Sequence, residues 1–174
     1  MPTYQDIIDA HGRIQNFINK TPVMTSRTLN EKTRAKIFLK CENFQKVRAF
    51  KMRGAINAIF QLSEEQKNKG VITHSSGNHA QAVALSAKLL DIHATIVMPE
   101  TSPQVKIRAT RDTYGANVVL CKNSIKARHN TTENLINKYG YTLIHPYDNE
   151  NVFAGAGTAA YELLQEIDDL NMVF

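Results

Sequence analysis

A lysine at a strand–loop–helix junction is the residue of this sequence best placed to act as a nucleophile. Lys51 follows a β-rich run at 36–39 and a loop, and a helical run at 55–60 comes after it. Phe50 gives the lysine an apolar neighbour, and loss of water favours the uncharged, nucleophilic form of an amine. A solvated surface lysine is the alternative that this residue alone leaves open, because lysine is seldom buried without a partner.

A second motif has the composition of an anion-binding turn. The β-rich run 71–73 meets the small-residue segment 75–79, which reads Ser-Ser-Gly-Asn-His, and an alanine-rich helix follows. Small hydroxyl residues and glycine at a helix start leave backbone N–H groups free to face a ligand, and such a terminus attracts carboxylates. An ordinary capped turn between a strand and a helix is the alternative for this motif taken alone.

Together the two motifs resemble those of the fold type II pyridoxal-phosphate (PLP) enzymes of the serine/threonine dehydratase and serine racemase family. The first segment reads Asn-Phe-Gln-Lys at 43–46 and Phe-Lys-Met-Arg-Gly-Ala at 50–55, and the second reads Ser-Ser-Gly-Asn-His-Ala-Gln at 75–81. His145-Pro146 and the small-residue run 154–158 follow in the expected order. The resemblance extends from about Tyr4 to the last residue.

The resemblance implies a role for each of these residues. Lys51 is expected to be the Schiff-base lysine, Phe50 to pack beside the cofactor, and Asn78 to bond the cofactor's ring hydroxyl. The turn is expected to hold the substrate carboxylate through five residues: Ser75, Ser76, Gly77, Asn78 and His79. Pyridoxal 5'-phosphate is thus the expected cofactor, and a small amino acid is the expected substrate.

The implied chemistry is α,β-elimination from a hydroxyamino acid, racemisation, or both. Lys51 would serve as base on one face of Cα, and loss of the β-hydroxyl would lead to a keto acid and ammonia. Ser76 resembles the serine that racemases place on the opposite face, whereas many threonine dehydratases have alanine there. A role for Ser76 as a plain cap donor stays open, and the sequence does not separate serine, threonine and 3-hydroxyaspartate as substrates.

Racemase-like members of the family also bind a nucleotide effector between subunits. Four residues match positions used there: Ser26, Lys46, Gln81 and Tyr114. The resemblance leaves ATP and Mg²⁺ open as effectors of the full-length protein, which is expected to be a homodimer. No metal site is expected in this chain, because His74, His79 and His145 have no zinc-ligand spacing.

Composition excludes several other classes of protein. The chain has 174 residues, 43% of them hydrophobic and 21% charged, with a net charge of +5. The basic residues are scattered, and Lys122, Lys126 and Arg128 are attributed to a solvated surface, so neither nucleic-acid binding nor a membrane contact is expected. Cys41 and Cys121 have no disulfide or metal spacing, and no leader pattern begins the chain, so a cytoplasmic protein is expected. A Rossmann module is disfavoured because no Gly-x-Gly-x-x-Gly occurs.

Alternating β and α patterns from Gly70 onward predict an α/β fold with a parallel twisted sheet and flanking helices. The predicted strands are 71–74, 94–98, 118–121 and 142–145, and the predicted helices between them are 78–90, 102–114 and 127–139. Flanking elements are predicted as helices at 3–17 and 158–167, a helix beginning near Lys51, and strands at 36–41 and 171–174. By resemblance the fold is tryptophan synthase β-like, with a small lobe at 70–148 and a partial large lobe at 1–69 and 149–174.

Several features depart from the family's pattern. Arg48 stands where the family usually has glycine, so a positive φ at this position would strain the loop before Lys51. Asp91 replaces a turn glycine, and Asp112-Thr113 contains a one-residue insertion. No tetraglycine phosphate loop occurs, so the chain is expected to be the N-terminal part of an enzyme, with little or no activity alone. The alternative is a truncated, non-catalytic fragment that folds or acts only with a partner chain.

Overall fold

A four-stranded parallel sheet is the centre of the computed structural model, which describes all 174 residues. Its strands are β3 (Val71–His74), β4 (Ala94–Pro99), β5 (Asn117–Cys121) and β6 (Thr142–Leu143), in the order β5-β4-β3-β6. Two further strands, β1 (Val23–Thr25) and β2 (Phe38–Lys40), form a separate antiparallel pair. The predicted parallel sheet is thus confirmed.

Eight helices surround these strands. They are α1 (Tyr4–Ile14), α2 (Arg27–Thr33), α3 (Lys51–Phe60), α4 (Glu64–Lys69), α5 (Asn78–Leu89), α6 (Gln104–Arg108), α7 (Ile125–Tyr139) and α8 (Glu150–Glu166). None of them combines the length and the apolar character that crossing a bilayer requires.

Both faces of the sheet are covered, so every residue of its central strands, β3 and β4, is buried. Successive side chains of a strand point to opposite faces. Val71 and Ile96 therefore pack in the larger core with α3 and α5, whereas Ile72 and Val97 pack in a smaller core with residues of α7. All four of these side chains are fully buried.

Two helices begin with reciprocal capping hydrogen bonds between residues three positions apart. The Thr3 hydroxyl accepts a hydrogen bond from the Asp6 N–H, and the Asp6 carboxylate accepts one from the Thr3 N–H, at the start of α1. Ser63 and Gln66 form the same reciprocal pair at the start of α4. Each pair satisfies backbone donors that a helix start otherwise leaves without partners.

The last helix is longer than predicted, because it begins at Glu150 and not at Thr158. Asn149 caps it by accepting a hydrogen bond from the Val152 N–H at 3.0 Å. Glycines within a helix cost about 1 kcal/mol each, but here they allow α8 to approach α3 closely. A Cβ at Gly155 would overlap the carbonyl oxygen of Arg53.

Other predicted boundaries also need correction. The predicted strand at 171–174 is wrong, because these residues are exposed and belong to no ladder, and a strand requires a neighbour for its backbone hydrogen bonds. Strand β6 stops at Leu143, and Pro146 shortly after it has no N–H to donate. Helix α1 ends at Ile14, before the predicted Phe17, and α2 was not predicted at all.

The predicted one-residue insertion coincides with a π-helical turn. The predicted helix 102–114 is observed as α6 followed by the π turn Ala109–Thr113. The Tyr114 N–H donates to the Ala109 carbonyl at 3.0 Å, a bond that spans one residue more than in an α-helix. Such turns absorb an extra residue without ending the helix.

Two residues that stand in for glycines adopt the backbone conformation of glycine. Arg48 has φ of 56° and Asp91 has φ of 54°, so the condition under which Arg48 would strain the loop is met. Val47 next to it has φ of 54°. Left-handed backbone costs a residue with a Cβ atom about 1–2 kcal/mol, so the loop before Lys51 is strained at two consecutive positions. The effect of this strain on Lys51 stays a prediction, as does the division of the chain into two lobes.

Candidate active site

Lys51 is the first residue of α3 and reaches across to the segment that follows β6. Its Nζ atom donates a hydrogen bond to the Pro146 carbonyl oxygen at 3.1 Å. The same atom lies 4.9 Å from the centroid of the Phe50 ring, which is half-exposed. The predicted apolar neighbour is therefore in contact with the amine, and a contact between residues 95 positions apart fixes the direction of the lysine side chain.

The turn between β3 and α5 presents backbone donors that have no partner in the helix. Ser75 N–H donates to the Val97 carbonyl at 3.1 Å, and Gly77 N–H donates to Ser75 Oγ at 3.2 Å, so the turn is held in shape. No side chain caps α5. The N–H groups of Asn78 and His79 in its first turn are consequently free for an anion, at the positive end of a twelve-residue helix.

The His79 side chain points into the core, away from the turn. Its Nε2 atom lies 3.0 Å from the Ile144 carbonyl oxygen and therefore carries the proton, while its Nδ1 atom is buried without a partner. Burial lowers the pKa of His79 to about 4, and the positive charge of Lys51 contributes to this effect. His79 is thus a neutral ring at neutral pH, and only its backbone N–H faces the predicted carboxylate site.

Asn78 begins α5 with an exposed side chain that contacts a neighbouring helix. Its Oδ1 atom accepts a hydrogen bond from Lys106 Nζ of α6 at 2.6 Å. No hydrogen bond is made by its Nδ2 atom, so this amide group retains two free donors.

A cavity of about 290 Å³ lies at the carboxyl ends of β3 and β6. Ligands of open parallel sheets bind at this edge. Its lining residues are His74, Ser75, Ser76, Ile125, Arg128, His129, Pro146 and Tyr147. Because Pro146 both lines the cavity and accepts the hydrogen bond of Lys51, the lysine amine is bonded to a residue of the cavity wall.

Arg128 and His129 of α7 are site residues that the sequence did not reveal. The sequence placed Arg128 on a solvated surface, but it is half-buried, and its Nε atom is buried without a hydrogen-bond partner. No carboxylate forms an ion pair with it, although the chain has 16 acidic residues. A cation on a helix face carries no local signal that distinguishes it from a surface residue.

A group of histidines borders the same cavity. The ring of His74 lies 5.0 Å from that of His129 and 5.4 Å from that of His145, measured between centroids. Burial lowers the pKa of His74, and the neighbouring histidines and Arg128 lower it further. These rings do not form a group of three that could hold a metal ion.

The four residues of the predicted nucleotide site are spread over separate elements. The hydroxyl of Ser26 caps α2 by accepting a hydrogen bond from Leu29 N–H, Lys46 lies in a short 3₁₀ turn, and Gln81 belongs to α5. Tyr114 lines a different cavity, of about 280 Å³. No hydrogen bond joins any two of the four, and the effector site stays a prediction.

The structure combines a parallel α/β sheet with a lysine at the start of a helix and an uncapped turn suited to an anion. This combination is typical of a class of cofactor-dependent enzymes. The chain belongs to the pyridoxal-phosphate dependent enzyme family, which matches residues 14–174. The predicted fold type II architecture and the predicted dependence of the family on pyridoxal phosphate are confirmed.

Several curated relatives match the whole chain, among them a lyase and a racemase. L-threo-3-hydroxyaspartate ammonia-lyase of Saccharomyces cerevisiae is 52% identical over 174 residues, 100% of this chain and 53% of the relative. Serine racemase of Schizosaccharomyces pombe is 49% identical, over 100% of this chain and 54% of its own length. The chain therefore spans about half the length of the curated relatives it matches.

A solved structure shows the same fold. The crystal structure of serine racemase from Dictyostelium discoideum superimposes with a TM-score of 0.92 at 48% identity, covering 97% of this chain and 55% of that chain. The similar proteins thus include both lyases and racemases.

The residues present fit the ring end of pyridoxal phosphate. An amine, Lys51 Nζ, is bonded to a residue of the cavity wall, and the free donors of the Asn78 amide belong to the first residue of the helix that follows the turn. The unpartnered N–H groups of that turn suit a carboxylate. The Lys51 amine is thus suited to the cofactor's aldehyde, the Asn78 amide to its ring hydroxyl, and the N–H groups of the turn to the substrate carboxylate.

Proposed function

We propose that the protein is a pyridoxal-phosphate-dependent ammonia-lyase that converts a hydroxyamino acid to a keto acid and ammonia, the water lost by elimination of the β-hydroxyl being taken up again when the resulting imine hydrolyses. The observation that carries the proposal is the hydrogen bond from Lys51 Nζ to the Pro146 carbonyl at 3.1 Å. Pro146 lines the same cavity as Ser75 and Ser76, which belong to the turn that leads into α5. This shared lining supports a nucleophile next to a carboxylate site, as catalysis at an amino acid requires.

Each of these residues has a task in the proposed reaction. The cofactor, when bound, supplies an electron sink for negative charge at Cα. Lys51 holds the cofactor through Nζ and removes the Cα proton, while the N–H groups of Asn78 and His79 orient the substrate carboxylate. The buried ring of His79 stays neutral and supports the turn through its bond to Ile144.

The cavity also favours a particular substrate class, the dicarboxylic hydroxyamino acids such as 3-hydroxyaspartate. Arg128 supplies a positive charge without a carboxylate partner at the cavity wall. A guanidinium binds a carboxylate through two parallel hydrogen bonds. A second carboxylate on the substrate would therefore satisfy Arg128, whereas the hydroxymethyl group of serine would not. The similarity to a 3-hydroxyaspartate ammonia-lyase supports this assignment.

Replacing Arg128 with methionine tests the substrate class. We expect kcat/KM for 3-hydroxyaspartate, followed as oxaloacetate release by the full-length gene product, to fall about 10- to 100-fold, because a charge-assisted hydrogen bond is lost. Pyruvate release from serine should change little. Lys126→Met, an exposed position on the same helix, is the matched control and should affect neither substrate. Equal losses with both substrates would show that Arg128 does not select the second carboxylate.

Ser76 supports racemisation as a second candidate activity. Its side chain lines the cavity, where its hydroxyl could return a proton to Cα on the face opposite the lysine. We expect Ser76→Ala to lower serine racemisation at least about a hundredfold, a typical contribution of a positioned acid or base. Elimination should fall only a few-fold, since Lys51 is unchanged. Chiral chromatography of residual serine, run beside a keto-acid assay, separates the two rates, and racemisation that survives the substitution would remove Ser76 from the mechanism.

A further inference from the structure

A lysine of α6 holds the Asn78 side chain in one orientation. Lys106 Nζ and Asn78 Oδ1 are 2.6 Å apart. A lysine ammonium has only donors, so the amide atom facing it must be the oxygen and not the nitrogen. The amide nitrogen consequently points elsewhere, with both of its N–H groups available.

Lys106 is well placed to impose this orientation. Its side chain is half-buried, its carbonyl accepts a hydrogen bond from Thr110 Oγ1 at 2.8 Å, and the next residue, Ile107, anchors α6 in the main core. No carboxylate in the structure forms an ion pair with Lys106. The Asn78 amide is therefore the only side-chain acceptor that Lys106 Nζ bonds.

We propose that Lys106 is a positioning residue that makes Asn78 a hydrogen-bond donor toward the ring oxygen of the cofactor. The inference rests on the proposed function, in which Asn78 bonds that oxygen. An amide that presents N–H stabilises the deprotonated, negatively charged oxygen, whereas an amide that presents C=O repels it. Lys106 thus sets the protonation state of the cofactor without contacting it.

The test uses the purified protein titrated with pyridoxal phosphate and followed by absorbance. Without the Lys106 donor the amide is free to turn, so we expect Lys106→Met to weaken cofactor binding about tenfold. The pH at which the absorption of the bound cofactor changes between its protonated and deprotonated forms should rise by about one unit. Lys106→Arg retains a donor, so its affinity for pyridoxal phosphate and its pH midpoint should equal those of the wild-type protein.

The matched control removes another lysine that bonds a neighbouring element. Lys88 Nζ donates to the Thr113 carbonyl at 2.9 Å and does not contact Asn78. Lys88→Met should leave both the affinity and the pH midpoint unchanged. A Lys106→Met protein that behaves like the Lys88→Met protein would overturn the inference.

A double-mutant cycle separates positioning from a general structural effect. If Lys106 acts through the amide, Lys106→Met has no further effect on the pH midpoint in an Asn78→Ala background. Additive shifts would instead contradict the inference. A wild-type protein that forms no reducible linkage at Lys51 would contradict the proposed function, so the two failures are distinguishable.

Discussion

Replacing Lys51 with methionine is expected to lower keto-acid release by the full-length gene product at least about a thousandfold, because in the proposed reaction this one side chain supplies both the bond to the cofactor and the base. Methionine keeps the length of the side chain and its contact with Phe50 but has no amine. The hydrogen bond to the Pro146 carbonyl, 3.1 Å long in the structure, is lost as well. Circular dichroism before the assay would show whether the fold is retained.

Borohydride reduction supplies a readout that does not depend on turnover. Wild-type protein incubated with pyridoxal phosphate, reduced and digested should carry the label on the peptide that contains Lys51. The Lys51→Met protein should carry none, and Lys67→Met, which removes a surface lysine paired with Glu64, should be labelled like wild type. Specific labelling of this 174-residue chain by itself would mean that the lysine site is formed within these residues.

Label spread over surface lysines, or no label, in both this chain and the full-length gene product would contradict the proposed function. That outcome would favour the alternative of a non-catalytic fragment that acts only with a partner chain. Labelling of the full-length gene product but not of the 174-residue chain would instead place the missing determinants outside these residues. The two preparations therefore need to be compared under identical conditions.

The part of the site that was predictable from sequence is the part that local motifs encode. Lys51 and the turn 75–79 are each fixed by a strand, a few loop residues and a helix start, and the structure bonds Lys51 to a wall residue of the cavity that Ser75 and Ser76 line. Arg128 and Lys106 were missed for the opposite reason. Each belongs to a helix whose local pattern is ordinary, and only the packing of that helix brings its charge to the site.

The fold shows the same division between local and tertiary signals. Capping by Thr3 and Ser63 involves residues three positions apart, so the starts of α1 and α4 can be predicted from the sequence. The start of α8 is not, because a run containing Gly155 and Gly157 resembles a loop. This run is helical in the structure, where it packs closely against α3. That contact joins residues far apart in the sequence, so local helix propensity does not predict it.

A buried charge network explains how α3, and with it Lys51, is held in place. Arg53 is fully buried and pairs with Glu42 and Glu162, at 2.8 Å in each case. Lys40 Nζ contacts the second oxygen of Glu162 at 2.9 Å. Burial raises the pKa of Glu162, but hydrogen bonds from Arg53 and Lys40 outweigh this effect and hold the pKa below its usual range. The network links β2 and the turn after it to α3 and α8.

Arg53→Met is therefore expected to destabilise the protein by about 3–5 kcal/mol, because removing one member of a buried ion pair leaves its partners charged and without compensation. For a chain of this size the melting temperature should fall by roughly 10 °C. The matched control is Arg27→Met, which removes an arginine from the exposed pair with Glu31 and should have almost no effect. Chemical denaturation of the three proteins at neutral pH measures the difference.

The pH dependence of stability gives an independent check on the same network. Because the pKa of Glu162 is lower in the folded than in the unfolded protein, its contribution is fully present above the unfolded value, about 4.3, and is lost as the pH falls through the folded value. Glu162→Gln should thus be much less stable than wild type at neutral pH, and the gap should narrow below about pH 4. A gap that stays constant with pH would mean that the charge of Glu162 is not what stabilises α3. The helix that begins with Lys51 would then depend on its packing against α5 and α8.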